Sequence, residues 1–252
     1  MENRKPSRVY TVVKRMIKAF YKMEITGLDN LPEGETVIVG NHAQIHGPLA
    51  CELYFPSNRY TWCAGQMMHL KEVPGYAYQD FWSQKPRYTR WFYHLLAYAI
   101  TPLALFIFNN ANTIPVYRDA RVLGTFRSTL EKLRGGAQIV IFPEYDRKYN
   151  NILYDFQDRF VDVARLYYTQ TEKELCFVPL YTAPKLHRMV LGRPVRFNGG
   201  APIEEERARI CQELMTAITD LARGLPRHTV IPYRNIRKRD YPQNLPEEGL
   251  QA

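Results

Sequence analysis

The feature that most constrains this chain is an alternation of two periodicities. Short apolar runs at 36–40, 60–64, 113–117, 138–142 and 175–180 read as buried strands, and 189–195 reads as one more, antiparallel at an edge. Between them lie stretches with helical spacing. Residues 121–134 carry Val122, Phe126, Leu130 and Leu133 and stop at Gly135-Gly136; 156–168 reads as a second helix. A last helix opens at Pro202, holds Glu204, Glu205 and Glu206 in its first turn, and ends at Gly224. This order predicts an α/β fold, a mostly parallel mixed sheet flanked by helices, with polar residues of the active site just beyond strand ends.

Composition narrows the classes. At 252 residues, 46% hydrophobic and 23% charged, the chain is ordinary globular material, which argues against disorder, collagen and a multi-span membrane protein. The 34 Lys+Arg outnumber the 25 Asp+Glu, giving a net charge of +9 that suits partners bearing phosphate. Basic residues are spread through helices, loops and tail and no nucleic-acid-binding motif is present, so nucleic acid is not expected as a partner. Cys51, Cys63, Cys176 and Cys211 form no CxxC pair, which suggests reduced thiols instead of a zinc ribbon or disulfide framework. No apolar run follows the polar, basic first eight residues, and export is not expected.

Two segments bear on membranes. Val9, Val12, Val13, Met16, Ile17 and Phe20 fall on one helical face, with Lys14, Arg15, Lys18 and Lys22 elsewhere. This basic amphipathic helix, assigned to 1–24, either lies in a membrane interface or packs on its own domain with a solvated basic face. The stretch 91–108 is almost free of charge but is broken by His94, Thr101 and Pro102, and its 18 residues fall short of the roughly 20 needed for a span. It reads either as buried core or as an acyl-chain groove or membrane-dipping element. One domain is expected over 25–224, followed by a basic, proline-containing tail at 225–252.

Three pieces beyond predicted strands carry the chemistry: Asn41-His42-Ala43-Gln44-Ile45-His46-Gly47-Pro48, Ile114-Pro115-Val116-Tyr117-Arg118, and Phe142-Pro143-Glu144. They supply a base, a planar cation that suits phosphate, and a carboxylate, which together imply activation of an alcohol near a phosphate. Arg118 could instead pair with Asp119 or Asp146. His46 stands four residues from His42, and a helical turn would put both rings on one face. Zinc ligation by such a pair in the helical metalloprotease motif needs Glu after the first His, where Ala43 stands, and no third ligand is visible; no metal is assigned.

These blocks, with Val178-Pro179-Leu180, resemble the glycerolipid (lysophosphatidic acid) acyltransferase family, whose members carry NHxxxxD, a block ending in a phosphate-binding Arg, FPEG and a Val-Pro block in this order. The resemblance runs from about the middle of the first helix to Gly192. It implies acyl transfer from acyl-CoA or acyl carrier protein, with no other cofactor, to a hydroxyl of a lysophospholipid or glycerol phosphate, at the cytoplasmic face of the cell membrane. It also implies that His42 is the general base, that Arg118 binds phosphate, and that Phe142, Pro143, Glu144 and Tyr145 line the acceptor site. Two positions depart from the pattern: Gly47 stands where the family has the aspartate that orients the histidine, and Tyr145 where it has glycine. His42 is then oriented by His46, Asp146 or a backbone carbonyl, or the enzyme is slow, or the chain is a non-catalytic lipid-binding member of the fold. If the aspartate is simply missing, Gly47→Asp should restore activity.

Overall fold

The computed structural model describes residues 7–55, 58–82 and 85–245. In chain order the elements are α1 (Arg8–Phe20), β1 (Glu24–Thr26), β2 (Thr36–Gly40), α2 (His46–Tyr54), β3 (Arg59–Ala64), α3 (Val73–Ala77) and α4 (Arg90–Asn110). Then come β4 (Thr113–Val116), α5 (Val122–Arg134), β5 (Gln138–Ile141), β6 (Glu144–Tyr149), β7 (Tyr154–Phe156) and α6 (Asp162–Thr171). The last are β8 (Cys176–Ala183), β9 (Arg188–Leu191), β10 (Val195–Arg196) and α7 (Ile203–Arg223).

The chain forms two compact units, one of the residues up to Tyr21 with Tyr60–Thr129, the other of Lys22–Arg59 with Leu130 onward. This differs from the expected division at 24 and 224. The amphipathic α1 packs on α4 from the middle of the chain, and the residues after α7 fold into the second unit. Residues 1–6 and 246–252 of the expected end segments lie outside the described residues.

In the second unit the strands lie in the order β1-β9-β8-β2-β5, with β10 also on β8. β2 runs parallel to both β5 and β8, and β1 parallel to β9, while β9 and β10 run antiparallel to β8. The sheet is therefore mixed and mostly parallel. Every residue of β2 is buried, which is why it reads as an unbroken apolar run and not as an alternation. Ile210, Leu214, Ile218 and Ala222 of α7 are buried, at the helical spacing that defines its core face, and α7 packs on β8.

The structure departs from the sequence expectation at three places. β8 runs on to Ala183, beyond the predicted stop near Pro179. Its ladder to β10 ends at Phe177 and its ladder to β9 begins at Leu180, so Pro179 falls between them, where its missing amide breaks no ladder bond while its carbonyl accepts from the Gly192 amide at 2.8 Å. The predicted helix at 156–168 starts only at Asp162, because Tyr154–Phe156 is taken up by the β6–β7 hairpin. β9 is antiparallel as expected but not at the edge, since β1 pairs beyond it.

In the first unit β3 and β4 pair in parallel. Ser7 caps α1, its Oγ accepting from the Tyr10 amide at 3.1 Å, and its own amide donates to Asn110 Oδ1 at 3.1 Å at the end of α4. Tyr10 meets Phe106 edge-on at 6.2 Å. α4 is one continuous helix of 21 residues through Pro102, about 32 Å long. The proline has no amide for the Tyr98 carbonyl one turn back. Only Ala97, Thr101 and Ala104 of α4 are buried, so this stretch is not a core helix: Trp91 is 70% exposed, and Leu95, Tyr98 and Leu103 are exposed with it.

Candidate active site

The site in the second unit begins where β2 ends. Asn41 is buried, and its side chain continues the β2–β8 ladder: Oδ1 accepts from the Thr182 amide at 2.7 Å and Nδ2 donates to the Thr182 carbonyl at 3.1 Å. This fixes the residue before His42 as firmly as a strand residue. The next two residues, Ala43 and Gln44, have φ of +45° and +55°. Such conformations cost of order 1–3 kcal/mol each for residues with side chains and persist only where the surroundings enforce them. Here the His46 amide donates to the Ala43 carbonyl at 3.1 Å and the Gly47 amide to the His42 carbonyl at 3.0 Å, closing the turn into α2.

The left-handed pair brings the Gln44 carbonyl back onto the histidine, where it accepts a hydrogen bond from His42 Nδ1. A carbonyl only accepts, so the proton is on Nδ1 and Nε2 carries the free lone pair. The ring is also flanked edge-on by Phe142 and Tyr233, each with centroids 5.4 Å away. Burial lowers its pKa to about 4, against the bond to Gln44, which raises it; at neutral pH the imidazole is uncharged. Of the orienting partners open from the sequence, the structure supplies the backbone carbonyl. Asp146 instead meets Arg234 at 3.4 Å.

His46 is the first residue of α2, while His42 lies before the left-handed turn, so the shared helical face does not arise. Burial, and then the charge of Lys185, lower the His46 pKa. Gly47 explains the departure at the aspartate position. A Cβ there would stand 2.7 Å from both the Asn41 and His42 carbonyl oxygens and 2.9 Å from the Phe142 ring. Position 47 has no room for a side chain, and the expectation that Gly47→Asp restores an orienting carboxylate is overturned.

Glu144, 3% exposed, faces inward. Oε1 accepts from the His42 amide at 2.6 Å and Oε2 from the Tyr154 amide at 2.8 Å, so the carboxyl clamps the histidine loop to β7. Burial raises its pKa to about 7, opposed by those two bonds. Pro143 is buried and its carbonyl accepts from the Gln157 amide at 2.9 Å. Tyr145, half-buried on β6, accepts from Arg147 through its hydroxyl at 3.2 Å.

Arg118 belongs to the first unit, where it follows β4 and is exposed. Neither ion pair weighed for it forms: Asp119 is held by Arg121 at 2.8 Å and Asp146 by Arg234. Among the described residues no group of three or more His, Cys, Asp or Glu is placed to hold a metal.

Sequence reasoning missed the contribution of the C-terminal segment. Val230 and His228 are buried, Tyr233 flanks His42, and the Tyr241 hydroxyl accepts from Gln44 Nε2 at 2.8 Å. The expected surface tail thus contributes Tyr233 and Tyr241 to the site. Its proline and charge content masked it, and the adjacent Val230-Ile231 was the available hint.

No family model matches the chain, and no curated protein matches it. Among solved structures it is similar to the 1-acyl-sn-glycerophosphate (LPA) acyltransferase PlsC from Thermotoga maritima, with a TM-score of 0.51 over 84% of this chain and 79% of that one, at 15% identity. The likeness at this identity is one of fold, and it agrees with the fold that the resemblance of the four sequence blocks implies.

Proposed function

We propose that the protein is an O-acyltransferase that moves an acyl group from acyl-CoA or acyl carrier protein to a hydroxyl of a lysophospholipid or related phosphate-bearing acceptor. The observation that carries this reading is the His42 ring held by Gln44, with Nε2 left as a neutral base. The acceptor O–H bond gives its proton to Nε2 while the oxygen forms a new bond to the thioester carbonyl carbon; the C–S bond then breaks and the thiolate takes the proton from His42. A phosphate on the acceptor stabilises the imidazolium, so proton transfer is favoured when substrate is present. Arg118 is the proposed phosphate ligand, on its place in the motif order and its exposed fork.

The test is transfer of labelled acyl groups from acyl-CoA and acyl carrier protein to a panel of lysophospholipids. His42→Ala is expected to lower turnover by about 10²–10⁴-fold while the variant stays folded by circular dichroism. Wild-type turnover in His42→Ala would sink the assignment. No product with any acceptor, alongside intact vesicle binding, would support the lipid-binding reading instead.

The proposed location is the cytoplasmic face of the cell membrane, peripheral or partly inserted. Within the first unit, α1 exposes Val9, Val12, Met16 and Phe20, and α4 is long and apolar enough to cross a membrane, with little of its apolar stretch buried. Arg8 and Arg15, exposed on α1 together with Lys18, suit the anionic cytoplasmic leaflet. Replacing both by Gln is expected to weaken association with phosphatidylcholine vesicles containing phosphatidylglycerol by about 30-fold, from roughly 1 kcal/mol per residue. Sedimentation with and without the anionic lipid checks this; equal binding by both proteins excludes α1 from the contact.

A further inference from the structure

The carbonyl that orients His42 belongs to a residue that is itself held from the far end of the chain. Gln44 Nε2 donates to the Tyr241 hydroxyl at 2.8 Å, and the segment that presents Tyr241 is closed and anchored. Thr229 and Gln243 pair as an isolated antiparallel bridge, the Val230 amide donates to the Pro242 carbonyl at 2.9 Å, and the Asn244 amide to the His228 carbonyl at 3.0 Å. The buried Asn244 side chain accepts from the His228 amide at 2.8 Å and donates to the Ala222 carbonyl at 2.8 Å at the end of α7. His228 Nε2 meets the Tyr181 hydroxyl on β8 at 2.9 Å. The result is a strap fixed at both ends, which brings Tyr233 against the His42 ring and Tyr241 against the side chain of Gln44.

A turn with two left-handed residues and side chains has nearby alternatives of lower backbone energy. Asn41, Glu144 and the first turn of α2 hold its two ends, but the Gln44 side chain is gripped from outside the loop only by Tyr241 among the hydrogen bonds described. We propose that Tyr241 is a positioning residue that, through Gln44, keeps the Nδ1–H tautomer and orientation of His42, the task an aspartate performs in the NHxxxxD pattern. This rests on the reading of His42 as the base, but the geometry it asserts does not.

The test therefore reads the ring directly. In protein labelled with ¹⁵N-histidine, the wild-type His42 ring is expected to show a protonated Nδ1 and a lone-pair Nε2. Tyr241→Phe removes one oxygen, and Gln44→Leu removes the other partner; each is expected to give a mixed tautomer spectrum. Gln44→Glu, which can accept from the tyrosine hydroxyl, is expected to retain the wild-type spectrum. In the acyl-transfer assay Tyr241→Phe should lower kcat by roughly 10–100-fold with KM unchanged, the scale of lost outer-shell orientation. An unchanged tautomer spectrum in both Tyr241→Phe and Gln44→Leu overturns the inference. If the spectra change as expected but the wild type makes no product, the positioning stands and the acyltransferase reading fails.

Discussion

Gly47→Asp is expected to abolish acyl transfer and to destabilise the fold, although it restores the residue that the NHxxxxD pattern asks for. The cleaner variant is Gly47→Ala. Inside a helix, glycine to alanine ordinarily stabilises by up to about 1 kcal/mol. Here the added carbon would press on two backbone oxygens at 2.7 Å, which no side-chain rotation can relieve, and on the Phe142 ring. Overpacking of this kind costs about 1–3 kcal/mol or more. For a chain of this size that lowers Tm by roughly 2–4 °C per kcal/mol, and the turn that places the Gln44 carbonyl opens with it. Thermal unfolding of the two variants, alongside the transfer assay, reads both effects. A more stable and fully active Gly47→Ala would contradict the packing described.

Loss of the Glu144 carboxyl is the second large effect. Glu144→Ala leaves the His42 and Tyr154 amides without their partners, at about 1–3 kcal/mol for each buried donor left unsatisfied. The histidine loop loses its clamp, so activity and stability are expected to fall together.

Its ionisation adds a signature in pH. Glu144 titrates near 7 when folded against 4.5 as its ordinary value, so the folded state binds the extra proton between them. Its contribution is greatest below 4.5 and is lost as pH rises through 7, about 3 kcal/mol in all. His42 has the opposite sign: its folded pKa of about 4 lies below 6.5, so its contribution is present above 6.5 and lost as pH falls through 4, again about 3 kcal/mol. The two slopes oppose each other between 4.5 and 6.5. The wild type is expected to show little dependence from this pair there, His42→Ala a loss of stability with rising pH, and Glu144→Gln a gain. Urea midpoints across that range decide it, and parallel profiles in all three proteins would refute the opposed pair.

The central strands were legible because buried parallel strands are continuous apolar runs, as at Thr36–Gly40, and the last helix because its core face keeps strict spacing; the short β1 was not seen. The β6–β7 hairpin was not, since Glu144–Tyr149 is polar along most of its length and its pairing is decided by the buried Glu144, Tyr154 and Phe156. His42 and Glu144 were found from their motifs, but the direction of Glu144, inward to two amides, was not written in any spacing. The orienting group was open in the sequence only as an unspecified backbone carbonyl, beside His46 and Asp146. It is a carbonyl, common to every residue, and only the φ values of Ala43 and Gln44 make it special.

That choice of partner changes what mutation can reach. A carboxylate orienter is deleted by one codon change, whereas the oxygen beside His42 survives every substitution at position 44 and can be moved only by altering the path of the chain. Among the replacements at that position, Gly and Asn adopt the positive φ at the least conformational cost, but they give up the Tyr241 hydroxyl that holds the Gln44 side chain. The site is thereby protected from outright loss of its orienting oxygen and made sensitive to every residue that sets the path of the turn, Gln44 and Gly47 among them.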